Sequence, residues 1–188
     1  GILCYFPQIW ASDNTDAVSR AYIQEGLSYG YPMSTVSAHV SACPNHQTLR
    51  VTPLSTRFNV AAFGICGYEC NLVDMSKAER SEIKTQIDIY KKWRHAMQFG
   101  SFYRQRTGNI HQWTVVDEEA GRAVGLIMQE LVRANTQNEE YYAAGLDPEA
   151  VYSFYNRPLK HNVKEFGDLI NTVAPIHIRQ GSLLPVSY

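Results

Sequence analysis

Two aspartates three residues apart, Asp13 and Asp16, stand in the run Pro7-Gln8-Ile9-Trp10-Ala11-Ser12-Asp13-Asn14-Thr15-Asp16-Ala17. An apolar lead, an acidic and hydroxyl-rich turn, and then a helical pattern place a carboxylate where a strand ends. There a carboxyl group can protonate a departing oxygen and later deprotonate an incoming water. The same run also reads as ordinary helix capping, because Ser, Thr, Asn and Asp are the preferred caps. Asp16, next to the helix, suits that part, since its charge is favourable at a helix N-terminus. From the residues alone both readings stay open for Asp13.

Other candidate groups carry less. His39 and His46 are seven residues apart across a strand-to-loop transition, which is no standard metal spacing. With Asn45 they read as buried polar groups that satisfy loop backbone. Arg50 and Arg57 are placed to order the same loops. No Ser or Cys stands beside a positioned His in the manner of an acyl-transfer triad. Cys4, Cys43, Cys66 and Cys70 all fall in the first part of the chain. Cys66-x-x-x-Cys70 is not a zinc-knuckle spacing, and Cys43-x-x-His46 has no second half. Buried, reduced thiols are the expectation, which favours a reducing compartment.

The elements that must position these groups follow from pattern. Tyr5–Trp10 reads as a strand and Ala17–Ser28 as a helix, stopped by Gly30 and Pro32. Thr35–Ala42 is the next strand, Thr56–Phe63 the next helix, and Tyr68–Leu72 a short strand. Lys77–Gln98 is the clearest helix: Ser76 and Glu79 make a capping box, and Ile83, Ile87, Tyr90 and Met97 form a stripe at helical spacing. After Gly108 the chain changes to short alternating runs, His111–Val116, Ala123–Leu131 and Val151–Tyr155, divided by turn residues. The expected order is α/β, then all-β: the last βα units of a (β/α)8 TIM barrel in residues 1–106, then an antiparallel β-sandwich in 107–188. A full barrel takes about 250 residues. The expectation is therefore an incomplete barrel cut from a longer chain, with the sandwich incomplete at its end.

Composition narrows the function classes. Seventeen basic against 18 acidic residues, a net charge of −1, leave no basic stripe to neutralise phosphates, so nucleic acid is disfavoured as a partner. No apolar run approaches the roughly 18–20 residues of a membrane span, and the N-terminus lacks the features of a signal peptide. Hydrophobic residues at 45% and charged at 19% are those of an ordinary globular chain.

In order along the chain stand Trp10-x-Ser12-Asp13-Asn14-Thr15-Asp16-Ala17, Ala38-His39-Val40-Ser41-Ala42-x-Pro44-Asn45-His46-Gln47, and Arg50-Val51-Thr52-Pro53-Leu54 with Thr56-Arg57. Phe63-Gly64, Gly67-Tyr68-Glu69, Gln98-Phe99-Gly100 with Phe102-Tyr103-Arg104, and Gly145-Leu146-Asp147-Pro148 follow. Together they resemble glycoside hydrolase family 36, whose members are mainly retaining α-galactosidases, and the resemblance covers nearly the whole chain. It departs from the family's usual pattern at Ala11, Asn14, Cys43 and Cys70.

The resemblance implies a role for Asp13 as general acid/base and proton donor, touching the substrate. It assigns no nucleophile here, because the family's Lys-Trp-Asp-type motif has no match in this chain; alone, the chain is expected to be inactive. It implies no metal ligand and no organic cofactor. The implied substrate is terminal, non-reducing α-galactose on galacto-oligosaccharides. The intact enzyme is expected to be a homo-oligomer in the cytoplasm, with neither nucleic acid nor membrane as partner. The alternatives are an α-N-acetylgalactosaminidase or raffinose-type galactosyltransferase of the same superfamily, or a non-catalytic sugar-binding remnant.

Overall fold

Asp16 ends an extended stretch and starts a helix: its side chain accepts the Ser19 amide at 3.0 Å, and α1 runs Ala17–Leu27. The computed structural model describes residues 1–131 and 140–157. From α1 the chain alternates β1 (Ser37–Ser41), α2 (Leu54–Ala61), β2 (Ile65–Glu69) and α3 (Lys77–Phe99). It then becomes all-β, with β3 (Ser101–Thr107), β4 (Ile110–Asp117) and β5 (Arg122–Gln129). The expected order of α/β and then all-β is thus the observed one.

Strands β1 and β2 pair in parallel, Ser37 opposite Ile65 through Ser41 opposite Glu69. A third parallel track lies beside β1 but is one residue long. Ile9 donates its N–H to Thr35 O at 2.6 Å and accepts the Ser37 N–H at 3.0 Å. The strand expected over Tyr5–Trp10 does not form. Pro7 has no N–H to give a ladder, and Tyr5 and Phe6 are exposed, so no packing holds them extended. Ile2–Cys4 is a short 3₁₀ turn instead.

The longest helix owes its start to the capping box: Ser76 Oγ accepts the Glu79 amide at 3.2 Å, and Glu79 Oε2 accepts the Ser76 amide at 2.9 Å. Of its apolar stripe, Ile83 and Met97 are buried and Ile87 and Tyr90 partly so. They close over Ala38 and Val40 of β1 and Leu54, Phe58 and Ala61 of α2. This is one sheet face covered by two helices.

The antiparallel sheet has the order β3-β4-β5. Residues 106–109, where the sequence places a change of domain, are the turn of the β3–β4 hairpin, with Gly108 at a left-handed φ of 61°. The alternating pattern in fact starts at Ser101, directly after α3. Gly100 makes that junction possible. A Cβ there would lie 2.6 Å from Val116 O and 2.7 Å from Ala96 O, so helix and sheet backbones meet with no room for a side chain.

The sheet does not stand apart from the βα units. Trp113 and Val115 of β4 and Met128 of β5 share one buried cluster with Ala17 and Ala21 of α1, Met33, Val36, Val60 and Phe63. Phe63 and Phe102 both pack edge-on against the Trp113 ring, at 5.3 and 5.7 Å between centroids. Accordingly the first compact unit is Gly1–Leu146, and the second is Asp147–Tyr188. In the second unit, Asp147 Oδ1 accepts the Glu149 amide at 2.9 Å and the Tyr152 hydroxyl accepts the Asp147 amide at 2.9 Å. Val151–Tyr155, expected as a strand, forms none among the described residues. The rest of the expected sandwich, from residue 158, lies outside the described residues.

Candidate functional site

The turn that carries Asp13 is built from side chains that accept their own backbone. Ser12 Oγ accepts the Asn14 amide at 3.1 Å, and Asn14 Oδ1 accepts the Asp16 amide at 3.0 Å. Asp16 Oδ2 then accepts both the amide and the hydroxyl of Ser19 at 3.0 Å, and Arg50 Nη1 donates to the same oxygen. Such nested turns are what short hydroxyl and amide side chains do when they compete with helix and sheet. Asp16 is buried to 1% exposure, so it is the structural member of the pair, as its place next to the helix suggested.

Asp13 is different. It is exposed at the tip of the turn, and Trp10 Nε1 donates to its Oδ1 at 2.8 Å. Its other oxygen takes no hydrogen bond from the described residues. The Trp10 ring lies on the His39 ring, centroids 4.2 Å apart and 39° between planes. His39 in turn stands on β1 opposite Gly67 of β2. A Cβ on Gly67 would come within 3.9 Å of the His39 ring. One sheet residue therefore supports the indole, and the indole orients the carboxylate.

Burial holds the His39 imidazole below its ordinary titration range; Arg20 adds to this, and the Glu69 carboxylate opposes it. His39 is thus neutral at neutral pH and serves as a flat support. Its Nδ1 is buried without a partner among the described residues.

The loop after β1 is locked from inside. Asn45, 4% exposed, accepts the Gln47 and Thr48 amides at 3.0 Å and donates to Thr15 Oγ1 at 3.2 Å. Arg57 donates to Ser41 O at 2.5 Å. Arg20 reaches Ser12 O at 3.4 Å and also Ser37 O, tying the turn to β1. Arg50 and Arg57 therefore order these loops, as expected from their place, and Asn45 is structural. His46 is exposed and is not gathered with Asp13.

Ser41 and Glu69 are the last residues of β1 and β2, and the Asp13 turn follows the Ile9 bridge that runs parallel to β1, so all three lie after the parallel pairing, on the side at which parallel α/β sheets carry their chemistry. A cleft of about 340 Å³ lined by Tyr31, Met33, Gln98, Phe102 and Arg104 lies at the other end, before β1 and after α3.

All four cysteines are free thiols. Cys4 and Cys43 are exposed, against the expectation of burial. Cys66 is the most shielded, and burial pushes its thiol up to about 12. Among the described residues no group of three or more His, Cys, Asp or Glu is placed to hold a metal ion, and no helix is long and apolar enough to cross a membrane. The indole that holds Asp13 was not singled out from sequence. The signal was there in principle: a Trp three residues before an exposed acid, on a tight turn.

Known proteins carry the same pattern. The melibiase family model matches residues 1–100, and the model of the glycosyl hydrolase family 36 C-terminal domain matches residues 110–174. The bifunctional α-galactosidase/sucrose kinase AgaSK of Mediterraneibacter gnavus is 43% identical over 155 residues, 81% of this chain and 17% of that protein. A crystal structure of a variant of the Geobacillus stearothermophilus α-galactosidase AgaA in complex with raffinose superimposes with a TM-score of 0.79 at 42% identity, over 81% of this chain and 22% of that one. The α-galactosidase of Lactobacillus brevis matches 100% of this chain and 24% of its own, with a TM-score of 0.80 and 36% identity. The chain spans about a fifth of the length of the curated relatives it matches.

Proposed function

The chain belongs to the melibiase family, in glycoside hydrolase family 36, and from that membership we propose that it forms the part of a retaining α-galactosidase that supplies the general acid/base, Asp13. The observation that carries this reading is the Asp13 carboxylate itself: exposed on the turn after the Ile9 bridge, anchored through one oxygen by Trp10, with its second oxygen open. A carboxyl group so placed hands a proton to the glycosidic oxygen as the bond to galactose breaks. A second carboxylate, about 5–5.5 Å away, attacks the anomeric carbon. Asp13, now ionised, takes a proton from the water that releases the sugar. No residue of this chain is assigned the second carboxylate, and both steps run on carboxyl chemistry alone.

The substrate class we propose is α-galactosides of the raffinose series, supported by the raffinose held by the Geobacillus relative. We keep the division into a barrel part, 1–106, and a sandwich part, 107–188, as a proposal, supported by the two family matches meeting between residues 100 and 110. A cytoplasmic homo-oligomer is proposed for the intact enzyme on the likeness to bacterial relatives alone.

The test is a graft of these 188 residues in place of the stretch they match in the Lactobacillus brevis enzyme. Once the graft hydrolyses an aryl α-galactoside, Asp13→Ala should slow it by roughly 10²- to 10⁴-fold. Azide, which needs no base, should then restore turnover and give the α-galactosyl azide. Absence of rescue would mean that Asp13 is not the acid/base.

A further inference from the structure

His111 is fully buried, at 0% exposure, yet both its ring nitrogens meet carboxylates. Nδ1 lies 2.6 Å from Glu25 Oε1 on α1, and Nε2 lies 2.7 Å from Glu130 Oε1 just past β5. Each of those oxygens takes a second donor from an aromatic side chain: Trp113 Nε1 gives to Glu25 at 2.8 Å, and the Tyr22 hydroxyl gives to Glu130. The Tyr22 ring meets the imidazole edge-on at 4.7 Å, and the Arg106 guanidinium of β3 covers the outer face of Tyr22 at 4.9 Å. The groups facing His111 are thus Tyr22 and Glu25 from α1, Glu130 from the end of β5, and Arg106 beyond Tyr22.

An ionised carboxylate only accepts hydrogen bonds. A neutral imidazole has one N–H, so with both carboxylates ionised one short contact would set a lone pair against an oxygen at 2.6 or 2.7 Å. With both carboxylates ionised, the doubly protonated ring is the form that satisfies both sides. Those two bonds join residues 86 and 19 positions apart and sit on the seam between α1 and the antiparallel sheet.

We propose that His111 is a proton-dependent clamp: doubly protonated, it bridges α1 to the end of β5, and when it loses a proton the sheet's docking on α1 loosens. The titration directions agree with the geometry. Burial alone would lower the imidazole, but the hydrogen bonds and charges of Glu25 and Glu130 outweigh it and raise it above 6.5. Glu130 is held below 4.5, its own burial being outweighed by Tyr22, His111 and Arg106. A raised histidine contributes stability that is fully present below its unfolded value and is lost as pH rises through its folded value. A lowered carboxyl contributes stability above its unfolded value and loses it as pH falls. The clamp is therefore firmest between those two values and releases on the alkaline side.

The measurement is the 15N signature of the His111 ring in the full chain across that range, with thermal unfolding of the wild type and Glu130→Gln beside it. The clamp predicts two protonated ring nitrogens at neutral pH and a single step with its midpoint above 6.5. It predicts a melting temperature that falls as pH rises through this step, together with faster amide exchange in β4 and β5 beyond the intrinsic pH effect. Glu130→Gln should bring the midpoint down and flatten the alkaline fall. A neutral single tautomer at neutral pH, or an alkaline fall unchanged in Glu130→Gln, would overturn the clamp.

Discussion

Replacing Asp16 by Ala removes three acceptances at once: the Ser19 amide, the Ser19 hydroxyl and the Arg50 guanidinium. Loss of an N-cap costs roughly 0.5–2 kcal/mol, and loss of a negative charge at a helix start adds about 0.3–1 kcal/mol. The Arg50 side chain is 43% exposed and regains water, so its share is small, on the order of 0–1 kcal/mol. The sum is about 2 kcal/mol. For a chain of this size each kcal/mol moves the melting temperature by about 2–4 °C, so Asp16→Ala should melt roughly 4–8 °C lower. Asp16→Asn keeps the cap and gives up only the charge, and should recover more than half of that loss. Asp13→Ala removes one bond to an exposed indole and should stay within about 0.5 kcal/mol of the wild type. Calorimetry or circular dichroism on the three variants at neutral pH is sufficient. The assignment of structure to Asp16 and chemistry to Asp13 collapses if Asp13→Ala destabilises as much as Asp16→Ala, or if Asp16→Asn is as damaging as Ala.

Gly100→Ala should destabilise by about 1–3 kcal/mol, the range for forcing atoms into a filled site. Two backbone carbonyls stand in its way, and a stable Gly100→Ala would show that helix and sheet separate more easily than the junction suggests. Thiol labelling without denaturant should modify Cys4 and Cys43 quickly and Cys66 slowly, since a thiol pushed up to about 12 offers little thiolate; equal rates for Cys66 and Cys43 would contradict the burial. The 188-residue chain on its own should release no phenol from an aryl α-galactoside, and turnover above a heat-killed control would mean that the nucleophile is in the chain after all.

The helices were legible because their signals are local. Ser76 and Glu79 cap α3 as read, and Asp16 caps α1, since such contacts span only three residues. The parallel strands were legible in kind but displaced at their ends, because strand limits depend on partners far along the chain. Tyr5–Trp10 shows the extreme case: its pattern is strand-like, but only Ile9 finds a partner. Strand β3 escaped notice because the sheet leaves most of its residues exposed, so no apolar run marks it. In the site, Asp13 could be named through the family motif, while its support by Trp10 and His39 depends on which faces the parallel strands bring together. Glu25, His111 and Glu130 had no sequence signature at all, since their meeting is purely tertiary.

The shared cluster around Trp113 bears on how such chains can be recombined. A crossover between two relatives in the interval 100–110, where the family matches change over, would draw α1 from one parent and β4 and β5 from the other. Glu25 would then meet a foreign residue at position 111 and a foreign ring at 113, and Ala17 and Ala21 would face unmatched bulk. Parents that agree at 25, 111, 113 and 130 should give folded hybrids. Parents that differ there should give hybrids rescued by carrying residue 25 across with the sheet, although it lies more than eighty positions away.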